Sequence, residues 1–112
     1  MLLNMNDYFM DNDKRPLIII GDKTYAVDDT VETTERFKKQ FAKNSEDRAA
    51  IYKIAFGEKA GQEIVDLNLR LYNANLLYIA LLGIYKGDTQ SEVESTFRKL
   101  LDKKQGNEEG TK

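Results

Sequence analysis

The sequence contains no cysteine and no histidine, and only one proline among its 112 residues. Without cysteine, the chain forms no disulfides and offers no thiolate ligand or thiol nucleophile. Without histidine, it lacks the commonest general base and the commonest metal ligand. The adjacent carboxylates stand where helices are expected to begin or in the C-terminal segment, and the glycines do not form a phosphate-binding loop. We therefore expect a protein that is not an enzyme and that binds no cofactor or metal.

The chain also has little net charge and few long apolar runs. The 17 basic and 19 acidic residues leave a net charge of −2, so no overall field attracts nucleic acid. The uncharged run 71–85 is 15 residues long, roughly 22 Å as a helix against roughly 30 Å for a bilayer core. The first ten residues lack the basic start of a signal peptide. We expect a cytoplasmic protein without a membrane partner.

The clearest pattern in the chain is the apolar stretch 64–85. Apolar residues recur there at alternating spacings of three and four, which predicts one stripe of a single helix. The stripe consists of Ile64, Leu67, Leu71, Ala74, Tyr78, Leu81 and Tyr85. From residue 76 onward the opposite side is apolar too, so this helix needs cover from its own domain or from other copies. Asn68 and Asn75 would lie on one side of it, either fixing the register of paired helices or facing solvent.

The segments around this stretch predict one small domain. The run LIII at 17–20, the turn GDK and the segment TYAVD at 24–28 predict a β-hairpin over 16–28. Helices are predicted from about 31 to 43, from 45 to Gly57, and after a capping box formed by Thr89 and Glu92. The predicted fold is α+β and mainly α, with an N-terminal hairpin followed by about four helices, one of them a long apolar central helix. Residues 16–104 are expected to form the domain, 1–15 a flexible arm and 105–112 a disordered tail.

Four stretches of the chain carry a family resemblance. They are the hairpin LIIIGDKTYAVDD, the charged helix VETTERFKKQF, the alanine-rich segment AAIYKIAFGEKAGQEI and the long apolar helix that follows. Their order over residues 16–101 resembles the tail assembly chaperones of long-tailed phages and prophages of Gram-positive bacteria.

The resemblance implies a non-enzymatic protein of the host cytoplasm. Such chaperones bind the tape-measure protein, whose apolar helices would otherwise aggregate, and help recruit the major tail protein. They tend to self-associate, so a homo-oligomer is implied as well. Many are also made as a longer frameshifted product, with which the polar segment QGNEEGTK at 105–112 is compatible.

The central helix also supplies a candidate binding surface. Recognition of a helix in a groove uses apolar anchors spaced along one helix, and an exposed apolar patch marks an interaction site. We predict that the surface for self-association or for a client helix is lined by Leu76, Leu77, Ile79, Leu82 and Ile84.

Two other functions stay open. A cluster of basic residues beside Phe37 and Phe41 on the first helix would suit a small DNA-binding or transcription-regulating protein of a mobile element. This cluster comprises Arg36, Lys38, Lys39 and Lys43. The same alternation is typical of any solvated helix face, so the pattern favours protein over nucleic acid as the partner. The remaining alternative is a homo-oligomeric structural module without a client.

Overall fold

The computed structural model describes the backbone of residues 1–10 and 14–110, and the side chains of residues 1–10 and 14–103. Within these residues a β-hairpin precedes five α-helices, so the predicted mainly α class of α+β fold is confirmed. The elements are β1 (Leu17–Ile20), β2 (Lys23–Ala26), α1 (Val31–Lys43), α2 (Arg48–Phe56), α3 (Glu58–Asp66), α4 (Leu71–Lys86) and α5 (Gln90–Gly110). A short 3-10 helix, Met5–Asp7, precedes them.

The hairpin forms where the turn chemistry predicts it. Gly21 and Asp22 connect the antiparallel strands, and Gly21 has a φ of +64°, which glycine adopts without steric cost. The pairs run from Leu17 opposite Ala26 to Ile20 opposite Lys23. Because side chains alternate along a strand, Ile18 and Ile20 pack towards the helices while their neighbours in β1 face outward.

The helix starts follow local capping signals. Thr30 accepts a hydrogen bond from the Thr33 amide at 3.3 Å at the start of α1. At the start of α5, the Glu92 amide donates to Thr89 Oγ1 at 3.3 Å, and the Thr89 amide donates to Glu92 Oε1 at 3.1 Å. This reciprocal pair is the predicted capping box, which satisfies two amides that a helix start leaves without partners.

The predicted continuous helix over 64–85 is wrong. The chain leaves the helical conformation between Asp66 and Leu71, where Asn68 has a φ of +50°. Asparagine tolerates this left-handed region better than most residues, so it ends α3. Leu67 and Leu71, two members of the predicted stripe, are exposed at this break. The long apolar helix is therefore α4 alone, and the predicted four helices become five.

The core lies between the hairpin and the first four helices. It is rich in aromatic rings, and Phe37 packs against Tyr85 in a tilted arrangement with their centroids 4.4 Å apart. Helices α2 and α3 approach so closely that a Cβ added at Gly61 would lie 2.6 Å from the backbone of Lys53. Gly61 is therefore a packing residue inside α3, not an interruption of the helix.

The two ends of the chain differ from the core. The α5 backbone stays helical to Gly110, beyond the predicted helix end at 104, while residues 111 and 112 lie outside the described residues. The predicted disorder of 105–112 stays a prediction. The first ten residues are all exposed, and the predicted flexibility of 1–15, of which 11–13 are not described, also stays a prediction. None of the described helices has the length and apolar character needed to cross a bilayer.

Candidate functional site: an apolar groove beside α4

The apolar surface of α4 divides into three sides around the helix. At about 100° per residue, the first side contains Ala74, Tyr78, Leu81 and Tyr85, which are all buried in the core. The second side faces a groove, and the third side faces solvent. Each side meets a different environment, although all three are rich in apolar residues.

The packed side of α4 is tied to the rest of the domain by two tyrosine hydroxyls. Tyr78 donates a hydrogen bond to the Ser45 carbonyl, and Tyr85 donates to the Asp28 carbonyl at 3.0 Å. Burial raises the pKa of the Tyr78 hydroxyl to about 12, and burial also raises the pKa of Tyr85. Both tyrosines are therefore neutral donors at physiological pH and hold α4 against the segments before α1 and α2.

The second side of α4 forms the floor of a groove of about 950 Å³. One wall is strand β1 and the other is α5. The apolar lining comes from Leu17, Ile18, Ile19 and Ile20 of β1, from Leu76, Leu77, Ala80 and Ile84 of α4, from Val93 and Phe97 of α5, and from Met10, Pro16 and Leu69 outside these elements. The volume lies in the range of sites that receive sizeable ligands or the side chains of a partner segment.

A sharp turn between α4 and α5 sets the second wall of the groove. Gly87 ends α4 in the left-handed conformation with a φ of +89°, and the Asp88 amide donates to the Gly83 carbonyl at 2.9 Å. Gly83 lets α5 approach closely, because a Cβ there would lie 2.7 Å from Cγ2 of Val93. Glycines thus place α5 beside the groove.

The rim of the groove is polar but carries little net charge. The charged residues among those that line it are Asp29, Asp88 and Glu94. Asp88 pairs with Lys86 at 3.4 Å, and Glu94 pairs with Arg98 at 3.5 Å. Since two of the three carboxylates have basic partners, apolar contact is the main attraction that the groove offers.

The structure brings together three of the five predicted partner-binding residues. Leu76, Leu77 and Ile84 line the groove. Leu77 is also a buried member of the core, and Ile84 packs against that core. Ile79 and Leu82 do not line the groove; Leu82 is 39% exposed and Ile79 is half-buried. Their use as a binding surface stays a prediction.

The walls of the groove are the residues that sequence reasoning missed. The sequence predicts the strand and a helix after the capping box, but nothing local indicates that both face α4. The uninterrupted apolar run LIII is the available signal, because it places apolar side chains on both faces of a hairpin that has little material to cover them.

Asn75 and the predicted basic cluster lie away from the groove. Asn75 Oδ1 accepts a hydrogen bond from Arg48 Nη2 at 3.3 Å, and the Arg48 guanidinium lies 4.4 Å from the centre of the Tyr78 ring. Asn75 thus has a partner inside the domain, whereas Asn68 is the residue that ends α3, so they do not share one side of a helix. The contacts of Arg48 with Asn75 and Tyr78 connect α2 to α4.

The four basic residues of α1 are exposed, and none is among the residues that line the groove. Three of them, Arg36, Lys39 and Lys43, recur at helical spacing on one side. Glu32 and Glu35 precede Arg36 and Lys39 by four residues, which weakens the positive potential of that side. A salt-sensitive contact with nucleic acid would have to form here.

Comparisons with family models, with characterised proteins and with solved structures find no match to this chain. The groove and its surroundings therefore carry the functional argument.

Proposed function

We propose that this chain is a non-enzymatic chaperone-like protein that binds an apolar helix of a client in the groove beside α4. The observation that carries the proposal is the groove itself, which is open, mainly apolar and about 950 Å³ in volume, between β1, α4 and α5. A small domain gains stability by burying apolar surface, so surface left open at this scale favours an intermolecular role.

The chemistry of the lining supports a helical client. Leu76, Ala80 and Ile84 follow one another at intervals of four residues along the floor, and side chains at that spacing form a ridge against which another helix packs. The apolar side chains of the lining are aliphatic apart from Met10 and Phe97. Such a surface suits apolar helices of varied sequence.

The family resemblance names the client. A tape-measure protein has long apolar helices that need protection before a phage tail assembles around it, and the groove offers the chemistry for that protection. We accordingly propose tail assembly as the process, the host cytoplasm as the compartment, and recruitment of the major tail protein and self-association as further properties of the chain.

Co-expression tests this proposal. Candidate tape-measure fragments and the tail protein encoded nearby are produced with and without the chain, and soluble complexes are purified and sized. We expect a fragment that precipitates alone to stay soluble in a complex with the chain. A fragment that is equally insoluble in both cases contradicts the proposal.

A matched pair of variants locates the client. Leu76→Glu combined with Phe97→Glu places two charges in the groove, and both residues are only half-buried. We expect this double variant to fold and to lose the client, because a carboxylate against an apolar helix is costly to desolvate. Leu82→Glu is the control on the solvent side of α4 and should retain the client. Loss of the client only in the control would instead assign binding to the solvent side.

A DNA-binding measurement on the same purified chain tests the alternative of a DNA-binding or transcription-regulating protein. Retention on DNA that falls steeply with added salt, together with loss of retention in Lys39→Glu, would favour a nucleic-acid partner for α1. No retention at moderate salt is the result that the chaperone proposal expects.

A further inference from the structure

We infer that β1 is the self-association surface, and that it pairs antiparallel with β1 of a second copy so that each copy closes the other's groove. This inference rests on the proposed function, since it assigns partner and regulation to the same groove. The juxtaposition that supports it is a strand edge without hydrogen-bond partners among the described residues, beside an open apolar groove whose lining also includes Met10.

The outer edge of β1 has unpaired backbone groups. In a hairpin with a two-residue turn, the residues next to the turn exchange hydrogen bonds, and the pattern then alternates. Ile20 and Ile18 therefore bond to β2, and the Val27 amide donates to the Pro16 carbonyl at 2.9 Å in the same series. The amides and carbonyls of Leu17 and Ile19 point away from β2, and no hydrogen bond among the described residues reaches them.

Apart from its short length of four residues, this edge lacks the features that keep natural edges apart. Edge strands are usually protected by a charge, a bulge or a proline. The four residues of β1 are apolar and its register has no bulge. Pro16 does not protect the edge, because its backbone belongs to the series that faces β2. Leu17 and Ile19 are 65% and 72% exposed, which is unusual for residues of their size.

One register fits a second copy. If Leu17 of each copy lies opposite Ile19 of the other, both outward-facing residues of each β1 exchange hydrogen bonds, and Ile18 lies on the twofold axis. Shifting the register by two residues would bring Gly21 or Arg15 into the ladder, outside the strand. A twofold pair makes every contact twice, so a short strand suffices to form a four-stranded sheet.

The same register explains how the groove is covered. The twofold axis is perpendicular to the joined sheet, so both layers of helices lie on the same face of it. Ile18 and Ile20 of the incoming strand then point to the same side as the groove floor, while they pack against the core of their own copy. The incoming strand occupies the space beside β1 at the mouth of the groove, so a client and a second copy compete for one surface.

Disulfide trapping tests the register. Because the chain has no native cysteine, only the introduced thiols can form a disulfide. Leu17→Cys and Ile19→Cys are prepared separately and then mixed under mild oxidation. Opposed residues lie about 5.5 Å apart between Cα atoms, within the range of a disulfide. Equivalent residues of the two copies would be offset by two positions, a further ~7 Å along the strand. We expect the mixture to form covalent dimers several times faster than either variant alone. Faster dimerisation of one variant by itself overturns this register.

Measuring the size of the particles formed by the wild type and by a variant of the β1 edge tests self-association and its competition with the client. Ile19→Lys places a charge on the edge and should weaken self-association at least about tenfold, whereas Val31→Lys, at a site 79% exposed on α1, should not. The client should convert the wild-type dimer into a complex with one copy of the chain, and a client that leaves the dimer intact contradicts the competition for the groove. An Ile19→Lys variant that dimerises like the wild type overturns the inference. A wild-type chain that dimerises in the trapped register but binds no client leaves the edge pairing intact and contradicts the proposed function instead.

Discussion

The packed side and the groove side of α4 show how one apolar helix serves two purposes. Tyr78 and Tyr85 on the packed side combine large rings with hydroxyls that donate to backbone carbonyls of distant segments. Leu76, Ala80 and Ile84 on the groove side are aliphatic and have no polar side-chain atoms. The first set specifies one arrangement, because a hydroxyl must find its partner when it is buried. The second set accepts any apolar surface of suitable shape, which suits an exchangeable partner.

The largest effect is expected from truncating the packed side. Leu81 is fully buried, so Leu81→Ala should lower the free energy of unfolding by about 3 kcal/mol through lost burial and the cavity that remains. Leu82→Ala is the matched control on the next residue of the same helix, which is 39% exposed. The control should cost less than about 1 kcal/mol. Urea denaturation measures both values, and equal losses would mean that the two sides of α4 are not different in packing.

A smaller effect is expected at the junction between the groove floor and its α5 wall. Alanine in place of glycine normally stabilises a helix interior by about 0.5–1 kcal/mol. At Gly83 the new Cβ would meet Val93 Cγ2 at 2.7 Å, so we expect Gly83→Ala to cost about 1–2 kcal/mol instead, as overpacking does.

A double-mutant cycle separates this contact from other causes. Val93→Ala removes the opposing methyl groups, so adding it to Gly83→Ala should recover most of the loss, with a coupling free energy of about 1 kcal/mol. Purely additive effects would show that α5 does not pack on α4 at Gly83. The groove would then lack a fixed second wall.

Local signals in the sequence predict the parts of the fold that depend on neighbouring residues. The hairpin follows from Gly21 and Asp22 between two β-prone runs, and the capping box from Thr89 and Glu92. Both depend on groups within a few residues of each other, so tertiary packing has little to override.

The break between α3 and α4 shows where this reasoning stops. The apolar spacing continues through Leu67 and Leu71 as if the helix were unbroken, yet both are exposed and Asn68 is left-handed. Asparagine inside a helical pattern was the available signal, but asparagine also occurs in helices at modest cost. Only the packing of α3 against α2 through Gly61 shows that the chain must turn there.

The candidate site was predictable only in part for a related reason. The sequence shows that α4 is apolar on nearly all sides, but it does not show which side the core takes. Leu82 is as apolar as Leu76, yet it is exposed, while Leu77 is in the core. That choice depends on where α1, α2 and β1 pack, which involves residues far apart in the chain.

The smallest effect is expected from Tyr78→Phe, and its dependence on pH tests whether the packed side of α4 is shielded from water. Tyr78→Phe should cost about 1 kcal/mol at pH 7, because it removes the hydrogen bond to the Ser45 carbonyl. Burial raises the pKa of Tyr78 to about 12, so the folded state favours the neutral phenol. This contribution is complete below the unfolded pKa of about 10 and is lost as the pH rises through the folded pKa. The stability gap between wild type and Tyr78→Phe should therefore narrow between pH 10 and about 12. Urea midpoints at pH 7, 10 and 11 measure it, with Tyr8→Phe as the control for loss of an exposed hydroxyl. A stability difference that stays constant across this range would mean that the Tyr78 hydroxyl is as well solvated in the folded domain as in the unfolded chain. The packed side of α4 would then be as open to water as the groove.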